Sequence, residues 1–226
     1  MRIFAIGDLH LSFSCDKPMH VFGSAWENHV ERLEESWQRT VLPEDTVLIP
    51  GDISWAMHLP DAAADLAFIG RLNGTKLLLR GNHDYWWSSL TQVRRALPPS
   101  VYAIQNDAMR IGGYAIGGTR LWNPPAPQSA PEDQKIYARE LARLELSLRS
   151  MPEDCERLVM LHFPPFDEKH GDTPATELLE RYGVRHAVYA HLHGRAHRAA
   201  YTGEKNGVQY TFAAADYLEF VPKQIV

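Results

Sequence analysis

Apolar residues fall along this chain in two alternating patterns, short continuous runs and helical stripes. The run in "RIFAI" stops at Gly7, and from Trp26 to Val41 the residues Val30, Leu33, Trp37 and Val41 recur at spacings of three and four. The first pattern predicts a buried strand and the second an amphipathic helix with one face on a core. "DTVLIPGD" repeats the strand, and Leu66, Ile69 and Leu72 repeat the helix, closed by Asn73 and Gly74, residue types that tolerate the left-handed backbone at a helix end. "TKLLLRGNHD" reads as a third strand, and a weaker helical stretch over about 86 to 97 runs into Pro98 and Pro99, which break it.

The second half is richer in strands. Between Val101 and Trp122 the pattern predicts two, "VYAI" and "YAIGG", with Gly112, Gly113, Gly117 and Gly118 marking tight turns or close backbone approach. "NPPAPQSAPEDQ" is a proline-rich loop, too short to link domains. Ser129 and Glu132 stand at capping-box spacing before a helix that carries Tyr137, Leu141, Leu144 and Leu148 on one face. "ERLVMLHFPP" is a strand, Thr173 and Pro174 start a further helix that Gly183 ends, and "HAVYAHLHG" is another strand. The segment from Arg198 to Phe220 predicts a hairpin turning at "GEKNG". There is no internal repeat. Strands followed by helices, then more strands, give an α/β or α+β class, and 226 residues suit one domain spanning residues 1–226.

Composition narrows the setting. With 45% hydrophobic and 23% charged residues the chain has the balance of a globular protein. Its net charge of −5 argues against bulk nucleic-acid binding, which needs a lysine and arginine excess. Cys15 and Cys155 are far apart in sequence and form no CxxC pair, so the expectation is two free thiols in a reducing, cytoplasmic setting. The apolar N-terminal run is too short for a signal-peptide core, and no apolar stretch is long enough to span a membrane.

Each predicted strand ends in groups capable of chemistry. The first runs into Asp8-Leu9-His10, the second into Gly51-Asp52, the third into Gly81-Asn82-His83-Asp84, the one near 160 into His162, and the one near 190 into His191-Leu192-His193. Ligands collect at the carboxyl ends of strands in open α/β sheets. Side chains two apart on an extended chain share a face, so Asp8 with His10, and His191 with His193, can address one point. Carboxylate, imidazole and amide together suit borderline ions such as Zn, Mn or Fe, whereas a thiolate site lacks its cysteines.

The ordered set DxH, GD, GNHD, H and HxH resembles the calcineurin-like metallophosphoesterases, over residues 8 to 193. That resemblance implies a four-layer αββα sandwich of two mixed sheets flanked by helices, and a dinuclear centre of two divalent ions. It implies one ion held by Asp8, His10 and His193, a second by Asn82, His162 and His191, and Asp52 bridging both. His83 would be the unligated catalytic histidine, held by Asp84. The implied reaction is hydrolysis of a phosphomonoester or phosphodiester by in-line attack of a hydroxide shared by two metals. An alternative is a metallophosphoesterase fold that binds without turnover. The expected partner is a small phosphate ester, with no membrane; an oligomer is possible.

Other positions carry weaker expectations. Ala190 stands where the family's last motif usually has glycine. The connection over residues 11–24 is longer than a βα turn requires and predicts a lid or specificity loop. Trp55, Trp86, Trp87 and Trp122 are expected as core or wall residues, and of Trp55 and Trp86, which follow Asp52 and His83 by three, at least one should line the mouth. Arg120, Trp122 and Asn123 are candidates for phosphate or base contact. His170 and His197 are candidates for a substrate role, while His20, His29, His58 and His186 are expected on the surface or behind the site.

Overall fold

The computed structural model describes residues 1–126 and 128–226; Pro127, in the predicted proline-rich loop, lies outside the described residues. The elements run β1 (Ile3–Ala5), α1 (His29–Thr40), β2 (Thr46–Ile49), α2 (Ala63–Arg71), β3 (Thr75–Leu79), α3 (Leu90–Ala96), β4 (Val101–Ile104), β5 (Ala108–Ile111) and β6 (Tyr114–Thr119). They continue α4 (Pro131–Arg149), β7 (Glu156–Leu161), α5 (Pro174–Arg181), β8 (Val184–Tyr189), β9 (Gly203–Lys205), β10 (Val208–Phe212) and β11 (Lys223–Gln224).

Two mixed sheets result, ordered β11-β1-β2-β3-β4 and β5-β6-β7-β8-β10-β9. In the first, β1 to β4 are parallel and β11 pairs antiparallel with β1; in the second, β6, β7, β8 and β10 are parallel, with antiparallel β5 and β9 at the edges. The inner faces meet through Ile3, Leu48, Leu77 and Leu79 on one side and Ile116, Leu158, Met160 and Val188 on the other. Residues one step along point outward: Phe4, Val47 and Leu78 join Leu33, Trp37, Leu66 and Ile69 of the helices, and Val159, Leu161 and Ala187 join Leu144, Leu148 and Leu179. The central strands are thus apolar on both faces, which is why they read as continuous runs. The result is the expected α/β class in four layers, αββα.

Several local readings need correction. The helix predicted from about 86 begins at Leu90, where Ser89 supplies the N-cap hydroxyl to Gln92 N, and Trp86 and Trp87 sit in the preceding turn. The Ser129 capping box does not form: Pro131 sets the first turn of α4, Ala130 takes the cap position, and Ser129 Oγ accepts from Ala126 N at 2.9 Å. Val101 to Trp122 holds three strands; the unpredicted β5 is a half-exposed edge with little alternation, reached where the chain passes from one sheet to the other. The predicted hairpin is present as β9 and β10, turning on Asn206 and Gly207 with φ of 51° and 81°, a pair of left-handed residues of the kind two-residue hairpins favour. Thr173 caps α5 in a box with Thr176. Among the described residues no helix is long and apolar enough to cross a membrane.

Candidate metal centre

The carboxyl ends of β1, β2, β3, β7 and β8 lie on one edge of the two sheets and bring the polar strand ends together. Asp8, His10, Asp52 and His162 are all buried, and Asn82, His191 and His193 half-buried. Asp8, His10 and His193 each offer a ligand atom within 4.8 Å of the others, as do Asp8, Asp52 and His162. His10 Nε2 is 3.3 Å from His193 Nε2, and His162 Nε2 is 3.3 Å from His191 Nδ1 and 2.6 Å from Asn82 Oδ1. Asp52 lies between the two groups, its Oδ2 3.9 Å from His10 Nε2 and 3.5 Å from His162 Nε2.

The backbone makes this convergence possible in a way that side-chain spacing does not show. Asp8, His10, Asp52 and His191 all have positive φ, at 55°, 46°, 50° and 77°. That region is uncommon for residues with a side chain, and such backbone strain gathers at functional sites. Gly81 has no such φ, but a Cβ there would overlap the backbone nitrogen and carboxylate of Asp52, so only glycine lets the two loops touch. Ala190, in the place of a glycine, is buried and outside the positive-φ set; it donates its N–H to His162 O at 3.1 Å, and its methyl fills the space beside Gly7.

A second layer of partners fixes which ring nitrogen faces inward. His162 gives Nδ1–H to Pro50 O at 2.9 Å, leaving Nε2 with its lone pair toward Asn82 and His191. Burial lowers His162 and His191 to about 3, so both are neutral near pH 7. His193 Nδ1 meets Asp216 Oδ1 at 2.9 Å. Burial alone would lower His193, but the Asp216 hydrogen bond and then the Asp8 charge lift it to about 9. Burial also raises the Asp8 and Asp52 carboxyls.

Asp216 was not among the sequence-based site residues. It follows "YTFAAA" just beyond β10, the same polar ending on an apolar run that marked the other strand ends. Its other oxygen accepts from Gly194 N at 3.3 Å and lies 3.1 Å from His197 Nε2, which puts His197 behind His193.

Asp84 has different work from holding His83. Its carboxylate accepts from Ile53 N at 2.9 Å, Ser54 N at 3.2 Å, Trp86 Nε1 at 2.9 Å and Gly81 N at 2.7 Å. Those four donors tie the loop after β3 to the loop after β2, and among the described residues none comes from the His83 ring. Burial and then the Asp52 charge push the Asp84 carboxyl up to about 7, against the donors that favour its anion. His83 is set instead by its backbone, whose N–H donates to Asp52 Oδ1 at 2.8 Å, and by Trp55, 4.6 Å from its ring.

Trp55 is the tryptophan that lines the mouth, stacked on His10 at 4.8 Å and 19° and half-buried. Trp86 and Trp87 belong to the core. Trp26, unpredicted here, is buried edge-on to His10 and His193. The connection over residues 11–24 carries one short 3-10 turn, Met19–Phe22, and runs into a second at Ser24–Trp26 beside this side of the site, with Lys17 Nζ 4.3 Å over Trp55. Arg120 accepts through its carbonyl from His162 N and Phe163 N, and Trp122 packs on Phe163. Asn123 is exposed, and His170 is spent on Ala199 O at 2.9 Å.

These residues fit a pair of divalent ions. Asp8 Oδ1 is buried with no hydrogen-bond partner, an arrangement that costs free energy unless a cation completes it. His162 Nε2 faces an amide oxygen, and with its Nδ1 proton committed to Pro50 neither atom supplies a hydrogen.

A family model described as calcineurin-like phosphoesterase matches residues 1–195. The chain belongs to that family. No curated protein matches the sequence. Among solved structures it is similar to the phosphopantetheinyl hydrolase PptH of Mycobacterium tuberculosis, with a TM-score of 0.60 at 14% identity over 100% of this chain and 95% of that one. It is also similar to AQ665 of Aquifex aeolicus, described as of unknown function, with a TM-score of 0.54 at 15% identity over 99% and 95%. TT1561 of Thermus thermophilus matches with a TM-score of 0.54 at 12% identity over 99% and 98%. At these identities the likeness is one of fold.

Proposed function

We propose that this calcineurin-like phosphoesterase is an active, metal-dependent phosphohydrolase of a small phosphomonoester or phosphodiester. In this reading Asp8, His10 and His193 hold one divalent ion, Asn82, His162 and His191 the other, and Asp52 both, with Mn, Fe or Zn suited to the donor set. The observation that carries it is the buried, unpartnered Asp8 Oδ1 at the centre of converging imidazoles. Bound there, two ions supply Lewis acidity toward the phosphoryl oxygens and lower the pKa of water toward ~7.

The chain's own residues do the rest. Pro50 O and Asp216 hold the His162 and His193 rings in the tautomers that turn Nε2 inward. His83 lies outside the ligand set, half-buried on Trp55, its main chain pinned to Asp52. Its imidazole donates a proton to the departing oxygen, an effect worth roughly 100-fold to 10,000-fold. Trp26, Trp55 and the connection over residues 11–24 keep water from that side. The unpaired Cys15 and Cys155 support a cytoplasmic setting.

The test is hydrolysis of aryl phosphate mono- and diesters by metal-loaded protein, with the metal measured. His83→Ala should lower kcat by at least about 100-fold with metal content unchanged. Absence of turnover with Mn, Fe, Co, Ni and Zn alike would sink the assignment, and loss of metal in His83→Ala would make His83 a ligand.

A further inference from the structure

Beside Asn82 and one strand away from His162, on the same edge of the sheets, lies a small polar cavity of about 80 Å³. It is lined by the ends of β3, β4 and β6 and by α4. Arg80, Arg120 and Arg143 line it, with Glu140, Thr119 and Asn106. Three arginines therefore share one cavity with a single carboxylate.

The carboxylate is already committed. Glu140, almost wholly buried, accepts from Thr119 Oγ1 at 2.6 Å and from Arg143 Nη1 at 2.6 Å, with Arg120 Nη2 at 3.8 Å. A helix-to-sheet staple would need one arginine and that glutamate, and Arg120 and Arg143 already share it. Arg80 is then surplus. Among the described residues it makes no hydrogen bond or ion pair, and its Nε is buried without a partner. Half-buried, with its Nε shut from water and unpartnered beside two other guanidinium groups, Arg80 carries a cost that an oxyanion would offset, since bidentate arginine contacts suit planar carboxylates and phosphoryl groups. The cavity exceeds the ~15 Å³ that one water needs, so a tetrahedral oxyanion has room.

Position says what the anion belongs to. Arg80 precedes Asn82 by two residues, and the carbonyl of Arg120 accepts the N–H of His162 at 3.2 Å. Neighbouring strands are spaced about 4.8 Å apart, so the cavity adjoins the Asn82 and His162 side of the centre, opposite Trp26 and Trp55. We infer that Arg80, Arg120 and Arg143 form a subsite for a second phosphoryl group of the substrate, which makes the substrate class a small molecule bearing two phosphates. This rests on the phosphohydrolase reading for its placement, but the oxyanion site itself does not.

Two measurements on the full chain separate these. Sulfate titrated into the protein, followed by calorimetry, should bind saturably, and Arg80→Gln, which breaks no bond within the fold, should weaken it at least tenfold. KM for a nucleoside 3′,5′-bisphosphate should rise in Arg80→Gln at least tenfold more than KM for p-nitrophenyl phosphate, with Arg143→Gln a second variant. Wild-type protein without saturable sulfate binding, or Arg80→Gln binding as wild type, overturns the site. Sulfate binding lost with both KM values moved equally overturns its assignment to substrate. An enzyme inactive on every ester but with Arg80-dependent sulfate binding would defeat the phosphohydrolase reading and leave the oxyanion site standing.

Discussion

At the scale of single residues, the centre is set as much by partners behind the proposed ligands as by those residues themselves. His193 shows this: its ring is fixed by Asp216, and the same carboxylate makes its proton hard to remove, lifting it to about 9 after burial has acted the other way. A metal taking Nε2 near pH 7 must displace that proton. Asp216→Asn keeps the shape, removes the charge and lowers the His193 pKa, so metal binding should release fewer protons. Loss of such an outer partner typically weakens metal affinity by about 10- to 100-fold. Calorimetry in buffers of different ionisation enthalpy reads both quantities; unchanged affinity and unchanged proton release would show Asp216 to be idle.

At the scale of elements, the loop after β3 is built around close approach rather than around a hinge. Asp84 gathers four N–H donors from two loops and an indole, and Gly81 leaves no room for a Cβ against Asp52. Gly81→Ala should therefore cost at least about 1 to 3 kcal/mol in denaturant unfolding and reduce bound metal, because Asp52 must move; a variant of wild-type stability and full metal content would contradict this. The GNHD motif was legible as chemistry because His83 and Asp84 have no role in a simple turn. The service Asp84 performs was not legible, since three of its four donors are backbone groups of Ile53, Ser54 and Gly81, and backbone leaves no letter in the sequence. Strand runs such as "KLLL" and "RLVML" were plain because both faces are covered, whereas β5 and β11 are exposed edges whose composition carries no pattern. Asp216 was recoverable, being a polar residue at the end of an apolar run, but its separation from the other motifs hid it.

At the scale of the molecule, the two sheets share one inner core, and the proposed ligands come from both: Asp8, His10, Asp52 and Asn82 follow strands of the first sheet, His162, His191 and His193 strands of the second. We propose residues 1–226 as a single cooperative unit, to which the metals add a cross-sheet constraint. Unfolding should then show one transition with or without metal. A metal at 100 times its Kd should add about 2.7 kcal/mol, roughly 5 to 11 °C in Tm for a chain of this size. The increment depends on pH with a definite sign. In the metal-free protein the raised His193 pKa contributes stability that is complete below its ordinary value of 6.5 and is lost as pH rises through about 9. Metal binding requires that proton to leave, so it strengthens over the same range. These are one proton linkage seen from two sides, and it enlarges the difference between metal-loaded and chelator-treated protein as pH goes from 6.5 toward 9; Asp216→Asn should flatten it. Melting curves at several pH values, with and without chelator, measure that difference directly; one that shrinks as pH rises, or two separate transitions, would contradict a metal clamp joining the two sheets through His193.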